Sequence, residues 1–254
     1  MHQPTFRVIQ VLEQIAKDGS GKRLTDLSRD LQIPKSTLLP ILQTLCAQKY
    51  FSQDDLGRYV PGTALFSLGS TFSGGFPVLQ YVREQLQLLV GKLNETCYFG
   101  ALEDGHVLYL EKMECTQPLR MLTNVGHRLP AYATAIGKAL LSDHTEEQLR
   151  ELYPDGLTPL TPHTVTNVET LYRQLQQVQN MGYAWECEES TPHVRCFAVP
   201  VRKHGVIVSA ISVTIPLFRY EESQQPQILA ALQAAAGRMG SVLEQTNAHF
   251  GDLF

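Results

Sequence analysis

LTDLSRDLQIPKSTLLPILQTLCAQKYFSQDDLGRYV, from Leu24 to Val60, holds the reading on which the fold turns. Leu38, Ile41, Leu42 and Leu45 recur at i, i+3, i+4 and i+7, one face of an α-helix, and predict a helix from about Lys35. Gln32-Ile33-Pro34 before it reads as a short turn. Upstream of the turn, Leu27 and Leu31 share one face of a shorter helix for which Thr25 is the expected cap. Downstream, Tyr50 to Val60 places two aromatic-rich strands around a turn containing Asp and Gly, the pattern of a β-hairpin. Val8, Val11, Leu12 and Ile15 give one more amphipathic helix, ended by Asp18-Gly19-Ser20-Gly21. Two helices, a tight turn, a third helix and a hairpin are the ordered parts of a winged helix-turn-helix over residues 1–62.

The third helix turns a second face away from its leucines, carrying Lys35, Ser36, Thr37, Leu39, Gln43 and Thr44. Its early part is short and polar, suited to phosphates and base edges in a major groove. Arg58 stands on the hairpin where a wing reaches the DNA backbone or minor groove. These seven residues are the candidate DNA contacts. Any small three-helix domain shows similar periodicity; the ordered set, with its Lys-Ser-Thr helix start, favours DNA.

Charge is distributed in keeping with this. The chain carries −4 overall, but the first 62 residues carry +2 and the remainder −6. A mildly basic head on an acidic body fits a phosphate-contacting module joined to something that is not one. Five cysteines, an odd number with no Cys-x-x-Cys spacing, read as reduced thiols of a cytosolic protein. No signal-peptide pattern and no run of 18 apolar residues is present, so a cytoplasmic chain without a membrane span is expected. There is no Gly-x-Ser-x-Gly elbow and no phosphate-binding glycine loop, and His193-x-x-Cys196 alone is a weak zinc signal. Neither cofactor, metal nor catalytic residue is therefore expected, although a Cys/His hydrolase stays open because such residues meet only in the fold.

Leu65, Phe66, Leu68 and Phe72 predict a short apolar helix, broken at Ser73-Gly74-Gly75-Phe76-Pro77. Residues 63–77 read as a connector and 78–254 as a larger domain. That domain opens with a helix from Val78 to about Asn94. Strands follow at Cys97–Leu102, Val107–Met113 and Leu119–Val125, then helices at Ala131–Ser142, Glu146–Leu152 and Asn167–Met181. Further strands fall at Tyr183–Cys187, Cys196–Arg202 and Val206–Thr214, before a closing helix from Glu222 to about Thr246. An antiparallel sheet with helices on its faces makes this an α+β fold.

Three segments resemble one family. LTDLSRDLQIPKSTLLPILQTLCAQKYF in the head, GHRLPAYATAIGKALL (Gly126–Leu141) in the middle, and RCFAVPV (Arg195–Val201) with SAISVTIP (Ser209–Pro216) near the end are similar to the IclR family of bacterial regulators. The resemblance runs from about Phe6 to about Leu243, nearest in flavour to sugar-acid-responsive members. It implies a GAF-like effector domain behind the winged helix-turn-helix, connector helices that help pair two subunits, and a palindromic operator bound by a dimer or dimer of dimers. Two departures stand out. Pro40 occupies the middle of the recognition helix, where members usually carry Arg, and it should kink the helix in its second turn. ESTPHVRC (Glu189–Cys196) carries Pro192-His193 where members usually have Glu and Gly before the Arg-Cys, stiffening the loop over the pocket.

The residues themselves outline a pocket. A helix starting at Ala131 with little side-chain bulk would present free N–H groups to an anion, most naturally a carboxylate. Ser212 and Thr214 share one strand face, and Cys196 lies on the preceding strand. The resemblance implies effector contacts at Ala135, Ile136, Glu186, Cys196, Ser212 and Thr214, with Glu186 accepting from a ligand hydroxyl. Arg120, Met121, Tyr98 and Gly100 would line the wall. The expected function is a ligand-responsive regulator whose operator affinity is modulated by a small organic acid. The alternative is a metabolite-binding module or enzyme whose head serves only dimerisation.

Overall fold

The computed structural model describes residues 1–16, 20–74, 77–118 and 123–245, and the chain divides into two compact units, Met1–Phe76 and Pro77–Phe254.

In the first unit, α1 (Gln3–Ala16), α2 (Leu24–Leu31) and α3 (Lys35–Ala47) are followed by β1 (Phe51–Gln53), β2 (Tyr59–Pro61) and α4 (Thr63–Gly74). The predicted apolar faces converge: Val11, Ile15, Leu27, Leu38, Leu42 and Leu45 form one core with Ile33, Phe51 and Tyr59. Thr25 does not cap α2. The helix begins one residue before it, and the Asp26 carboxylate accepts the N–H of Arg23, the residue that precedes the helix, at 3.2 Å. The hairpin turn is built by Asp54, whose side chain accepts the N–H groups of Leu56 (3.0 Å) and Arg58 (2.8 Å), with Gly57 at positive φ. A third extended segment joins the hairpin. Lys22 and Tyr59 exchange two backbone hydrogen bonds of 3.0 and 2.8 Å, an interaction the sequence pattern did not signal.

Pro40 sits inside α3 without ending it; the element is continuous from Lys35 to Ala47. Pro40 is exposed, so the Ser36 carbonyl that lacks its usual partner faces the solvent side. The Thr44 hydroxyl donates to the Pro40 carbonyl at 2.8 Å.

The second unit starts with α5 (Pro77–Leu93). Its six-stranded antiparallel sheet has the order β5-β4-β3-β8-β7-β6, built from β3 (Thr96–Glu103), β4 (His106–Met113), β5 (Arg128–Pro130), β6 (Ala184–Cys187), β7 (Val194–Lys203) and β8 (Val206–Pro216). Its remaining helices are α6 (Ala135–Leu141), α7 (Glu146–Leu152), α8 (Val168–Met181) and α9 (Gln225–Gln245). β3 and β8, the central pair, join the two ends of the domain in register Tyr98↔Ser212. Both are buried along most of their length, which explains their nearly continuous apolar runs. α6 and α8 pack with Tyr98, Cys196, Ala198 and Ala210, residues on alternate positions of their strands and hence on one sheet face. α5 and α9 pack on each other and against β3, β4, β7 and β8.

Two predicted elements differ. Of the strand expected at Leu119–Val125, residues 119–122 lie outside the described residues and 123–125 form no strand; the edge strand is Arg128–Pro130, paired with β4. The helix expected from Ala131 begins at Ala135. Ala131–Ala133 form a single 3₁₀ turn, Thr134 is extended, and its Oγ1 accepts the Gly137 N–H at 3.0 Å. A cap in the β region forces the chain to restart, and small residues alone could not show where.

Gly137 makes that restart possible: a Cβ there would lie 2.1 Å from the Ala131 carbonyl oxygen. Gly137→Ala should destabilise the domain by about 3 kcal/mol or more through overpacking. Gly91→Ala, on the exposed side of α5 with nothing within 4 Å of the added methyl, should stabilise by up to about 1 kcal/mol. Urea unfolding of the two variants checks both signs.

Candidate functional site

The α3 surface carries the predicted contacts as one exposed group. Lys35, Ser36, Leu39, Gln43 and Thr44 are exposed and Thr37 is half-buried. Arg58 is placed differently from expectation, for it is not a free wing cation. Its Nε donates to Asp54 Oδ2 at 2.6 Å, and the same carboxylate organises the turn. The hydrogen bonds from Arg58 and its neighbours hold the Asp54 carboxyl below its ordinary range. A half-exposed pair of this kind contributes little net energy, so a phosphate can take the guanidinium over.

The second site is a small, partly open cavity between the sheet and the start of α6. Ala135 and Ile136 line it from the helix; Cys196, Ser212 and Thr214 line it from β7 and β8; Tyr98 and Tyr109 close one side. β-register explains the convergence: Thr214 pairs with Cys196, and Ser212 with Tyr98. The two tyrosines meet edge to face at 5.2 Å, and Cys196 Sγ lies 3.4 Å from Thr214 Oγ1. Thr123, Leu129, Thr134, Ser190, Thr191 and Val194 complete the lining. None of these described lining residues carries a formal charge. The N–H groups of Ala135 and Ile136, in the first turn of α6, have no intrahelical partner. An anion in this cavity would therefore meet N–H groups and hydroxyls rather than an ion-pair partner.

Three expected wall residues are placed elsewhere or not placed. Gly100 is not part of the lining; its Cα faces the Leu108 carbonyl, 2.8 Å from where a Cβ would sit. Arg120 and Met121 lie outside the described residues. Glu186 is also not on the wall. It is 1 % exposed, and its carboxylate accepts the Glu189 N–H at 2.8 Å and the Ser190 hydroxyl at 3.1 Å. Burial raises its carboxyl above the ordinary range. Glu186 reaches back into its own loop and holds Ser190, which does face the cavity, and it also lies beside the Cys196 thiol. Burial likewise pushes the Cys196 thiol well up, with Glu186 adding to the effect, so it is un-ionised and unsuited to nucleophilic attack.

That loop is held by an interaction the sequence reading missed. Lys138, 2 % exposed, donates to Glu189 Oε1 at 2.5 Å. Burial pulls the lysine down, opposed by the Glu189 charge. The Thr164 hydroxyl donates to the Glu189 carbonyl at 2.6 Å, and Thr161 to the Glu188 carbonyl at 2.6 Å. Glu188 and His193 both adopt positive φ, and the His193 N–H donates to Glu188 Oε1 at 2.8 Å. The one available signal was a single lysine inside the uncharged run AIGKALL.

A winged helix-turn-helix with an exposed recognition face of polar and small apolar residues, and a second domain with an uncharged, hydroxyl-lined cavity, define a DNA-binding regulator that responds to a small metabolite. Comparison with known proteins agrees. The family model described as "Bacterial transcriptional regulator IclR C-terminal" matches residues 74–240, and the IclR helix-turn-helix domain matches residues 5–55. The chain is 30 % identical over 240 residues to the HTH-type transcriptional regulator KdgR of Escherichia coli K12, covering 93 % of this chain and 89 % of the relative. It is 31 % identical over 236 residues to XynR of the same organism, covering 92 % and 94 %. A solved IclR homologue from Microbacterium hydrocarbonoxydans, complexed with 4-hydroxybenzoate, superposes with a TM-score of 0.82 at 25 % identity, covering 96 % of this chain and all of that one. The chain belongs to the IclR family. It is a ligand-responsive, DNA-binding transcriptional regulator and not an enzyme.

Breaking the loop clamp from one side should be costly. Lys138→Met leaves Glu189 buried without its partner and is expected to cost about 3–5 kcal/mol, whereas Lys138→Met with Glu189→Leu should recover most of it. Denaturant unfolding in which the double variant is as unstable as the single one would contradict the assignment.

Proposed function

We propose that this regulator binds a roughly palindromic operator in the cytoplasm as a homodimer or dimer of dimers, and that a small hydroxylated carboxylic acid shifts its operator affinity. What carries the reading is the meeting of Ala135, Ile136, Cys196, Ser212 and Thr214 around one uncharged cavity. The carboxylate is received by the Ala135 and Ile136 N–H groups and by the Ser212 and Thr214 hydroxyls. Ser190 and Thr191 take the ligand's hydroxyls from the loop side. The ligand named for the Microbacterium homologue, 4-hydroxybenzoate, carries both kinds of group. Lys35, Ser36, Thr37, Leu39, Gln43 and Thr44 contact DNA, and Arg58 joins them by exchanging Asp54 for a phosphate.

A thermal-shift screen of aromatic, aliphatic and sugar acids tests the pocket. A true effector at a hundred times its Kd stabilises the native state by about 2.7 kcal/mol, a rise of several degrees in Tm. Ser212→Ala should erase most of that rise; an unchanged response would remove the serine from the site. On the DNA side, Lys35→Ala should weaken binding and lower the salt dependence by about one counterion, a slope change of ~0.9. Unaltered affinity and slope in fluorescence anisotropy would take Lys35 off the interface.

A further inference from the structure

Ser36, Leu39, Pro40 and Gln43 follow one another on α3 at i, i+3, i+4 and i+7, a single exposed stripe opposite the buried Leu38, Leu42 and Leu45. Its centre is apolar. Leu39 keeps 40 % of its surface exposed, and Pro40 beside it is exposed as well. No acidic and no basic side chain lies on the stripe; Lys35 stands to one side of it at the start of the helix.

An aliphatic surface in a major groove finds one strongly apolar group on a base edge, the C5-methyl of thymine. A glutamine finds its two-point partner in adenine, through N6 and N7. An A·T pair offers both. Leu39 and Gln43 are one helical turn apart, about 6 Å along the axis, close to two base-pair steps of about 3.4 Å. α3 runs as one helix across Pro40, and the proline ring adds carbon surface while presenting no N–H. We infer that α3 selects A·T pairs, with Leu39 and Pro40 packed on thymine methyls and Gln43 hydrogen-bonded to adenine. The inference rests on the placement of α3 against DNA proposed above.

Selection from random duplexes with the full-length protein supplies the operator. Each thymine of the enriched sequence is then replaced in turn by deoxyuridine, which deletes only the methyl. At one or more positions in each half-site, affinity should fall about fourfold, the worth of one buried methyl-sized group. Leu39→Ala should lower affinity for the thymine operator and abolish the penalty at those positions. Leu39 is outside the core, so circular dichroism should show the variant folded. Pro40→Arg should shift selection toward guanine, the natural partner of an arginine. Operators insensitive to every thymine methyl, or a Leu39→Ala variant that keeps the full sensitivity, would overturn the inference while leaving DNA binding intact. Enrichment of no sequence at all would overturn the placement of α3 on DNA, and the inference with it.

Discussion

The carbonyl oxygen of Ala131 occupies the place where any side chain at position 137 would have to go. Because Gly137 has none, the 3₁₀ turn at Ala131–Ala133 can fold back under the first turn of α6, and Thr134 can hold the two together through its hydroxyl. That close approach decides where α6 begins, and with it where the Ala135 and Ile136 N–H groups stand relative to β7 and β8. The cavity is what remains between a helix seated this way and a sheet whose facing side chains are small and hydroxylated. A bulkier turn would move α6 and leave Cys196, Ser212 and Thr214 without an opposing wall.

The same economy of side chains shapes the loop that borders the cavity. Glu186, Lys138, Thr161 and Thr164 each contribute one or two hydrogen bonds to residues 188–190, so the loop backbone is tied from three directions. A segment held so fully has few alternative conformations, and its two left-handed residues, Glu188 and His193, persist because the surrounding bonds over-determine them. Ser190 and Thr191 are thereby presented to the cavity by a rigid frame.

Periodicity made the head legible. Leucines at helical spacing and a hairpin with Asp54 and Gly57 in its turn are local signals, and the structure repeats them almost residue for residue. The Lys22–Tyr59 bridge was invisible because two backbone groups leave no trace in side-chain pattern. In the larger domain, alternation placed Ser212 and Thr214 on one face, and β-register then brought Cys196 beside them. The start of α6 was misread because Ala-Tyr-Ala-Thr-Ala is compatible with helix throughout; only the tertiary contact at Gly137 shows that it restarts. The placement of Glu186 was hidden for a different reason: the chain position was visible, but the direction of a flexible side chain depends on the donors that the loop offers it. Pro40 was expected to distort α3, and its exposed position lets solvent satisfy the one carbonyl it leaves unpaired.

Lys138 and Glu189 are 51 positions apart in the chain, yet losing either leaves the other buried without its ion-pair partner. A change at either position alone leaves a lone buried group in the clamp, which destabilises the domain. The two positions are therefore coupled in stability, so that a substitution at one is best matched by a substitution at the other. Among descendants of this chain, altered ligand preference should appear first at Ser190 and Thr191, which can vary while the clamp beneath them stays in place.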